Sequence, residues 1–192
     1  MKEKEIEIRL RPVEESDLYQ LKEWRNDPEV MYRVREVKML SNVNQRNWFE
    51  SLYKDRFPQN LMFSIEHLKD TGCVSKVCDN EWEVVRAPVI IGCCGLCNID
   101  YINRSAEISL YVGDKRYQHK GVGTKALFEL KKKAFTHMNL IRLWAEVYSG
   151  NEIIYSLLKK VGYKKEATLK NTIYKVGCWG DSHFFTLFKE DQ

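Results

Sequence analysis

The stretch from residue 106 to residue 138 constrains the fold more than any other. Ala106 to Val112 (AEISLYV) has the composition of a strand, and the chain then turns through Gln118-His119-Lys120-Gly121-Val122-Gly123-Thr124. Beyond the turn, Val122, Ala126, Leu130 and Ala134 recur every four residues, and Leu127 and Met138 widen the stripe. That spacing predicts a helix over 121–137 with one apolar face. A strand feeding a one-faced helix predicts a sheet with the helix packed against it, so the chain is read as α/β.

The start of that helix is also the most informative place for function. A first helical turn leaves backbone N–H groups without partners, and the macrodipole adds partial positive charge, so an anion is attracted there. Glycines at 121 and 123 remove side chains that would hold a diphosphate away, and Lys120 adds charge at the rim. The alternative is that the glycines merely allow a tight turn. The loop is not a Walker sequence, because no Gly-Lys-Ser/Thr follows four spacer residues, nor the dinucleotide fingerprint, because Ala126 stands where a third glycine is needed.

Elsewhere, Ile6 to Leu10 alternates as a half-buried strand does, and Ser16 reads as the N-cap of a helix carrying Leu18, Leu21 and Trp24 that stops at Asn26-Asp27-Pro28. A second helix is expected over 44–53, with Trp48, Phe49 and Leu52 on its buried side. Strands are expected over 61–67 and 87–100, the latter broken by Gly92 and Gly95, with a polar hairpin excursion at 69–86 between them. A strand over 141–148, a helix over 151–161 and a final hairpin of strands around 168–175 and 182–189 complete the reading. At 192 residues, one domain covering 1–192 is expected.

Composition removes several function classes. No apolar run approaches the roughly 20 residues that span a bilayer, and MKEKEIEIRLRP is not a signal-peptide core, so a cytoplasmic protein without membrane partners is expected. The net charge of +4 does not argue for nucleic acid, and Lys131-Lys132-Lys133 fans around a helix as a solvated face. The six cysteines, at 73, 78, 93, 94, 97 and 178, lack the spacing of common zinc sites, so reduced thiols and no metal are expected.

Gln118-x-x-Gly121-x-Gly123 resembles the acyl-CoA signature of the GNAT N-acetyltransferases, in which Gln or Arg precedes Gly-x-Gly/Ala at this spacing. Ser105 to Val112 resembles the family's central strand, and Leu143-Trp144-Ala145-Glu146-Val147 with Asn151 and Gly162-Tyr163 resembles the family's next strand, helix and exit. Leu10-Arg11-Pro12, Trp24 to Val30 and Gly177-x-Trp179-x-Asp181 look like the branch holding ribosomal-protein and nucleotide-amino-sugar acetyltransferases.

The resemblance implies a single-domain GNAT-like α/β fold, a mostly antiparallel mixed sheet splayed at its centre and flanked by helices. It implies acetyl-CoA as co-substrate, with the backbone of Leu110, Tyr111 and Val112 holding pantetheine, and Gln118, His119, Lys120, Gly121, Val122, Gly123 and Thr124 around the pyrophosphate. Glu107 is implied as catalytic base, with Glu146 ranked below it. Asn151 is implied as a cofactor or water ligand, or a helix N-cap. Many members carry a tyrosine seven residues after that asparagine to protonate the leaving thiolate; this chain has Leu158, so Tyr155 is named as a displaced acid, with water as the alternative. Arg25 and Asn26 are assigned to the acceptor, the Arg as a partner for a diphosphate or carboxylate. The expected activity is acetyl transfer to a primary amine of a nucleotide-linked amino sugar. Alternatives are a polyamine or protein N-terminal acetyltransferase, a non-catalytic acyl-CoA-binding protein, and an RNA- or ribosome-associated protein. The expected partner is a small amine or peptide N-terminus, and the expected assembly a monomer or homodimer.

Overall fold

The computed structural model of the protein describes residues 6–34, 37–78 and 81–191, with backbone alone over 70–86. Seven strands, β1 (Ile8–Pro12), β2 (Leu61–Cys78), β3 (Glu81–Asp100), β4 (Ser105–Val112), β5 (Arg142–Tyr148), β6 (Lys164–Lys175) and β7 (Cys178–Phe188), form one sheet. Their order is β1-β2-β3-β4-β5-β7-β6. Every pairing is antiparallel except β4 with β5, which run parallel.

That parallel pair is short. β4 pairs with β5 only at Ser105, Ala106 and Glu107, opposite Arg142, Leu143 and Trp144. Beyond Glu107, β4 keeps β3 on its other edge as far as Val112, while β5 keeps β7 as far as Tyr148. The sheet therefore opens into a wedge between residues 108–112 and 145–148. Backbone groups on the inner edge of the wedge are left to pair with something strand-like.

Five helices, α1 (Leu18–Asn26), α2 (Pro28–Met31), α3 (Asn42–Tyr53), α4 (Val122–Lys132) and α5 (Glu152–Val161), cover the two faces. Alternation along β4 decides what each face sees. Ala106, Ile108 and Leu110 pack with Leu127 and Leu130 of α4 and with Leu158 and Val161 of α5. Tyr111 points the other way, into the cluster of Leu18 and Leu21 of α1 with Leu52 of α3. The apolar stripe of α4 is buried as expected, and the helix continues through Lys133–His137 as a π turn that also buries Phe135.

Several expectations change in detail. Ser16 is not a helix N-cap; it lies in the 3-10 turn Glu15–Asp17, and Asp17, the next residue, is drawn to Arg11. The four-residue α2, capped by the Asp27 side chain on the Glu29 N–H, was not foreseen. The cap of α3 is a reciprocal pair between Ser41 and Asn44, so that helix starts at Asn42. β3 runs from Glu81 to Asp100 with a register shift beside Gly92, where pairing to β2 steps from Gly92 to Ile90, and with none at Gly95; residues 69–78 and 81–86 of the excursion continue β2 and β3 as antiparallel strands. The side chains of Cys73 and Cys78 lie outside the described residues. Among the described residues, no group of His, Cys, Asp or Glu is arranged to hold a metal, and no helix is long and apolar enough to cross a membrane.

Candidate active site

Two cavities meet at the wedge. The smaller, of about 350 Å³, is lined by Leu110, Tyr111 and Val112 from β4, by Gln118, His119 and Gly121 to Thr124 from the turn into α4, and by Asn151 and the first half of α5. Lys120 alone of the expected loop residues is exposed and outside this lining. The loop is shaped by its backbone: His119 and Gly121 both adopt positive φ, 59° and 78°. Gln118 fastens the turn, its Nε2 donating to the Val112 carbonyl at 2.9 Å. The two glycines act differently from one another. Gly121 has open space around it and is required by its left-handed backbone, whereas a Cβ on Gly123 would sit 3.2 Å from Leu157. The first-turn N–H groups of Val122, Gly123 and Thr124 precede the first in-helix bond, from the Lys125 N–H to the Gly121 carbonyl, and are free to meet an anion. A phosphate-ended chain with an amide-bearing arm fits this half: the anion at the α4 start, the arm along the open edge of β4.

The larger cavity, of about 500 Å³, lies on the α1/α3 face and shares Arg33, Val34, Leu110, Tyr111, Asn151 and Ile154 with the first. Glu107, 8% exposed, lines it at the last residue before the sheet splays. Its Oε2 accepts from Asn98 Nδ2 at 2.7 Å. Asn98 sits at positive φ (49°) beside a register shift in β3, a conformation that asparagine tolerates. The arginines near the start of β4 and β5 have their own contacts: Arg104 donates to Asn139, and Arg142 pairs with Glu166. Glu146 lines the same cavity from β5, and Lys175 lies close enough to feel its charge.

The profile of the Acetyltransferase (GNAT) domain matches residues 7–164. The chain belongs to the GNAT acetyltransferase family. It is similar to YdaF of Bacillus subtilis, by name a ribosomal N-acetyltransferase, at 28% identity over 53% of this chain and 55% of that protein, so the match spans about half of that relative. It is also similar to the spermidine N(1)-acetyltransferase of Escherichia coli K12, at 24% identity over 95% of this chain and 86% of that protein. In fold it matches the spermidine N-acetyltransferase of Vibrio cholerae solved with CoA and spermine, with a TM-score of 0.80 and 20% identity over 96% of each chain. The resemblance to GNAT enzymes and the expected fold are both confirmed. The amino-sugar acceptor suggested by Trp24-Arg25-Asn26 finds no support in these relatives, while the polyamine alternative does.

Within the family frame, the residues of Trp24-Arg25-Asn26 do three different things. Trp24 packs so closely on Gly113, just past β4, that any Cβ there would collide with the indole. Asn26 uses both ends of its amide on Leu40, accepting from its N–H at 2.7 Å and donating to its carbonyl at 2.9 Å, and lines neither cavity. Arg25 alone reaches into the larger cavity. Asn151 stands at the N-cap of α5 without a capping bond; its Nδ2 contacts the Arg33 carbonyl at 3.3 Å. Tyr155 does not reach the wedge. Its ring meets His183 and Phe185 edge-on and lines neither cavity, because a three-residue step along α5 from Leu158 moves it to the β7 side. Leu158 occupies the position facing the wedge and is 1% exposed.

Tyr111 and Cys93 lie opposite each other on β4 and β3, under α1. Burial pushes the phenol well above its ordinary value and the thiol up to about 12, so both remain protonated. Sequence reasoning missed Asn98 and the Trp24–Gly113 contact. An asparagine near the end of an otherwise apolar strand is the one local hint of the first.

Proposed function

We propose that this chain transfers the acetyl group of acetyl-CoA to a primary amine at the end of an aliphatic chain. The observation that carries this reading is the wedge itself: a cofactor-shaped cavity and an acceptor cavity join where β4 leaves β5, with Glu107 at the apex. Glu107, held by Asn98, takes the ammonium proton directly or through water. The freed lone pair attacks the thioester carbonyl carbon and the C–N bond forms; the nitrogen gives its second proton to solvent as the C–S bond breaks and the thiolate leaves. A backbone N–H on the open edge of β4 stabilises the oxyanion, an effect of a few kcal/mol for one donor. Solvent protonates the thiolate, since Leu158 fills the wedge-facing position of α5. The near full-length similarity to an enzyme named for spermidine supports an aliphatic acceptor over an amino sugar.

The test is free-thiol release from acetyl-CoA with spermidine and other aliphatic amines, amino sugars and N-terminal peptides. Aliphatic amines are expected to drive turnover, and Glu107→Gln to slow it while acetyl-CoA still binds. Turnover confined to amino sugars or peptides would overturn the acceptor, and failure of acetyl-CoA to bind would overturn acetyl transfer.

A further inference from the structure

Resting on the acetyl-transfer reading and deepening it, we infer that the acceptor amine carries an oxyanion, a carboxylate or a phosphate ester, at the end away from its reacting nitrogen, and that Arg25 receives it. Arg25 lies in the last turn of α1 and lines the acceptor cavity beside Cys93 and Tyr111, both of which feel its charge. Its Nε is buried and has no hydrogen-bond partner, and the guanidinium forms no ion pair with a described residue. Buried donors are nearly always satisfied, because leaving one unmade costs free energy. The side chain lines the cavity without an ion pair to a described residue, and a planar guanidinium there suits a bidentate oxyanion.

The co-substrate does not account for this residue. The anion-binding turn at the start of α4 belongs to the other cavity, which Arg25 does not line. A pantetheine arm along β4 carries no charge to pair with it.

The charges around Arg25 point the same way. Arg33, which also lines the cofactor cavity, and Lys38 line the same cavity from its exposed mouth, so three described cations stand against the carboxylates of Glu107 and Glu146. Glu107 is engaged by Asn98, and Glu146 is faced by Lys175. A polycation would bring several more positive charges into this lining. An amine with a distal oxyanion instead places its nitrogen at Glu107 and its negative end at Arg25. The guanidinium is held ready, because Trp24 is pressed onto Gly113 and Asn26 is clamped to Leu40 on either side of it.

The experiment compares cadaverine with its ω-hydroxy, ω-carboxylate and ω-phosphate analogues. Calorimetric binding to the enzyme–CoA complex and acetyl-CoA turnover are measured for wild type, Arg25→Gln and Arg25→Lys. Wild type is expected to favour at least one oxyanion-ended amine over cadaverine by about tenfold or more, the size of a charge-assisted bond. The two anionic arms distinguish carboxylate from phosphate. Arg25→Gln is expected to erase most of the preference and Arg25→Lys to keep part of it. Cadaverine bound as well as or better than both anionic analogues, or a preference that survives Arg25→Gln, overturns the assignment. The readout is a ratio within one preparation, so partial loss of folded protein does not move it. Failure of CoA to bind wild type would instead overturn the acetyl-transfer reading, and this inference with it.

Discussion

The two sides of the cleft are made from different materials. The cofactor side is largely backbone: the open edge of β4 past Glu107, the left-handed turn at His119 and Gly121, and the unbonded N–H groups at the start of α4. The acceptor side is largely side chain: Glu107, Glu146 and Arg25 on β4, β5 and α1. Backbone groups tolerate many sequences provided the conformation is kept, so the first side can be common to a whole family. Side-chain groups change with each substitution, so the second is where one member becomes specific. The acceptor side must also be held in place from outside the cavity. Arg11 does much of this, bonding both Asp17, which precedes α1, and Glu66 on β2.

The sharpest way to break the comparison is a substitution on the backbone-built side. Gly121→Glu puts a side chain on a left-handed residue and a carboxylate where an anion belongs, so titration should find acetyl-CoA affinity lowered by at least about a hundredfold. Residual tight binding would mean that the α4 turn does not hold the diphosphate. On the side-chain-built side, Glu107→Gln should lower kcat by up to about a hundredfold with acetyl-CoA affinity unchanged, a barrier of ~2.7 kcal/mol. A loss of acetyl-CoA affinity instead would erase the division between the two sides.

Anchoring comes next in size. Burial alone would raise the carboxyls of Asp17 and Glu66, but hydrogen bonds from Arg11, joined by the Glu14 N–H and Ser64 at Asp17 and by Arg9 at Glu66, leave both below their ordinary values. Their contribution to stability is therefore complete above the unfolded carboxylate range, near pH 4, and is lost as pH falls through the lower folded values. Arg11→Met should cost about 3 kcal/mol in denaturant unfolding at pH 7, and less in acid, where the stranded carboxylates can protonate. An equal loss at both pH values would assign Arg11 a packing role. The smallest effect is expected from Tyr155→Phe, which removes a hydroxyl outside both cavities and should leave kcat within about twofold across the pH range. A tenfold loss would restore Tyr155 as an acid and require α5 to turn in the working enzyme.

How legible the molecule was in its sequence tracks the same division. The stripe of Val122, Ala126, Leu130 and Ala134 and the Gly-x-Gly turn before it were readable because helix period and glycine conformation are local properties. Most strands and helices were readable for the same reason, and the missed α2 is a four-residue element with too little periodicity to show. The Trp24-Arg25-Asn26 run was recognisable as important, but of the two neighbours assigned to the acceptor only Arg25 lines a cavity, while Asn26 clamps a loop and Trp24 packs a glycine.

The sequence by itself determined a strand-turn-helix with a glycine-bearing turn and an α/β sheet, since each depends on residues close together in the chain, whereas Glu107 was marked by family resemblance alone. Only the tertiary structure decided that Asn98 of β3 holds Glu107, that Tyr155 faces β7 while Leu158 faces the wedge, and that Arg25 enters the acceptor cavity with an unpaired Nε. Those outcomes depend on strand register and on the rotation of each helix about its axis, which are set by packing between segments far apart in sequence.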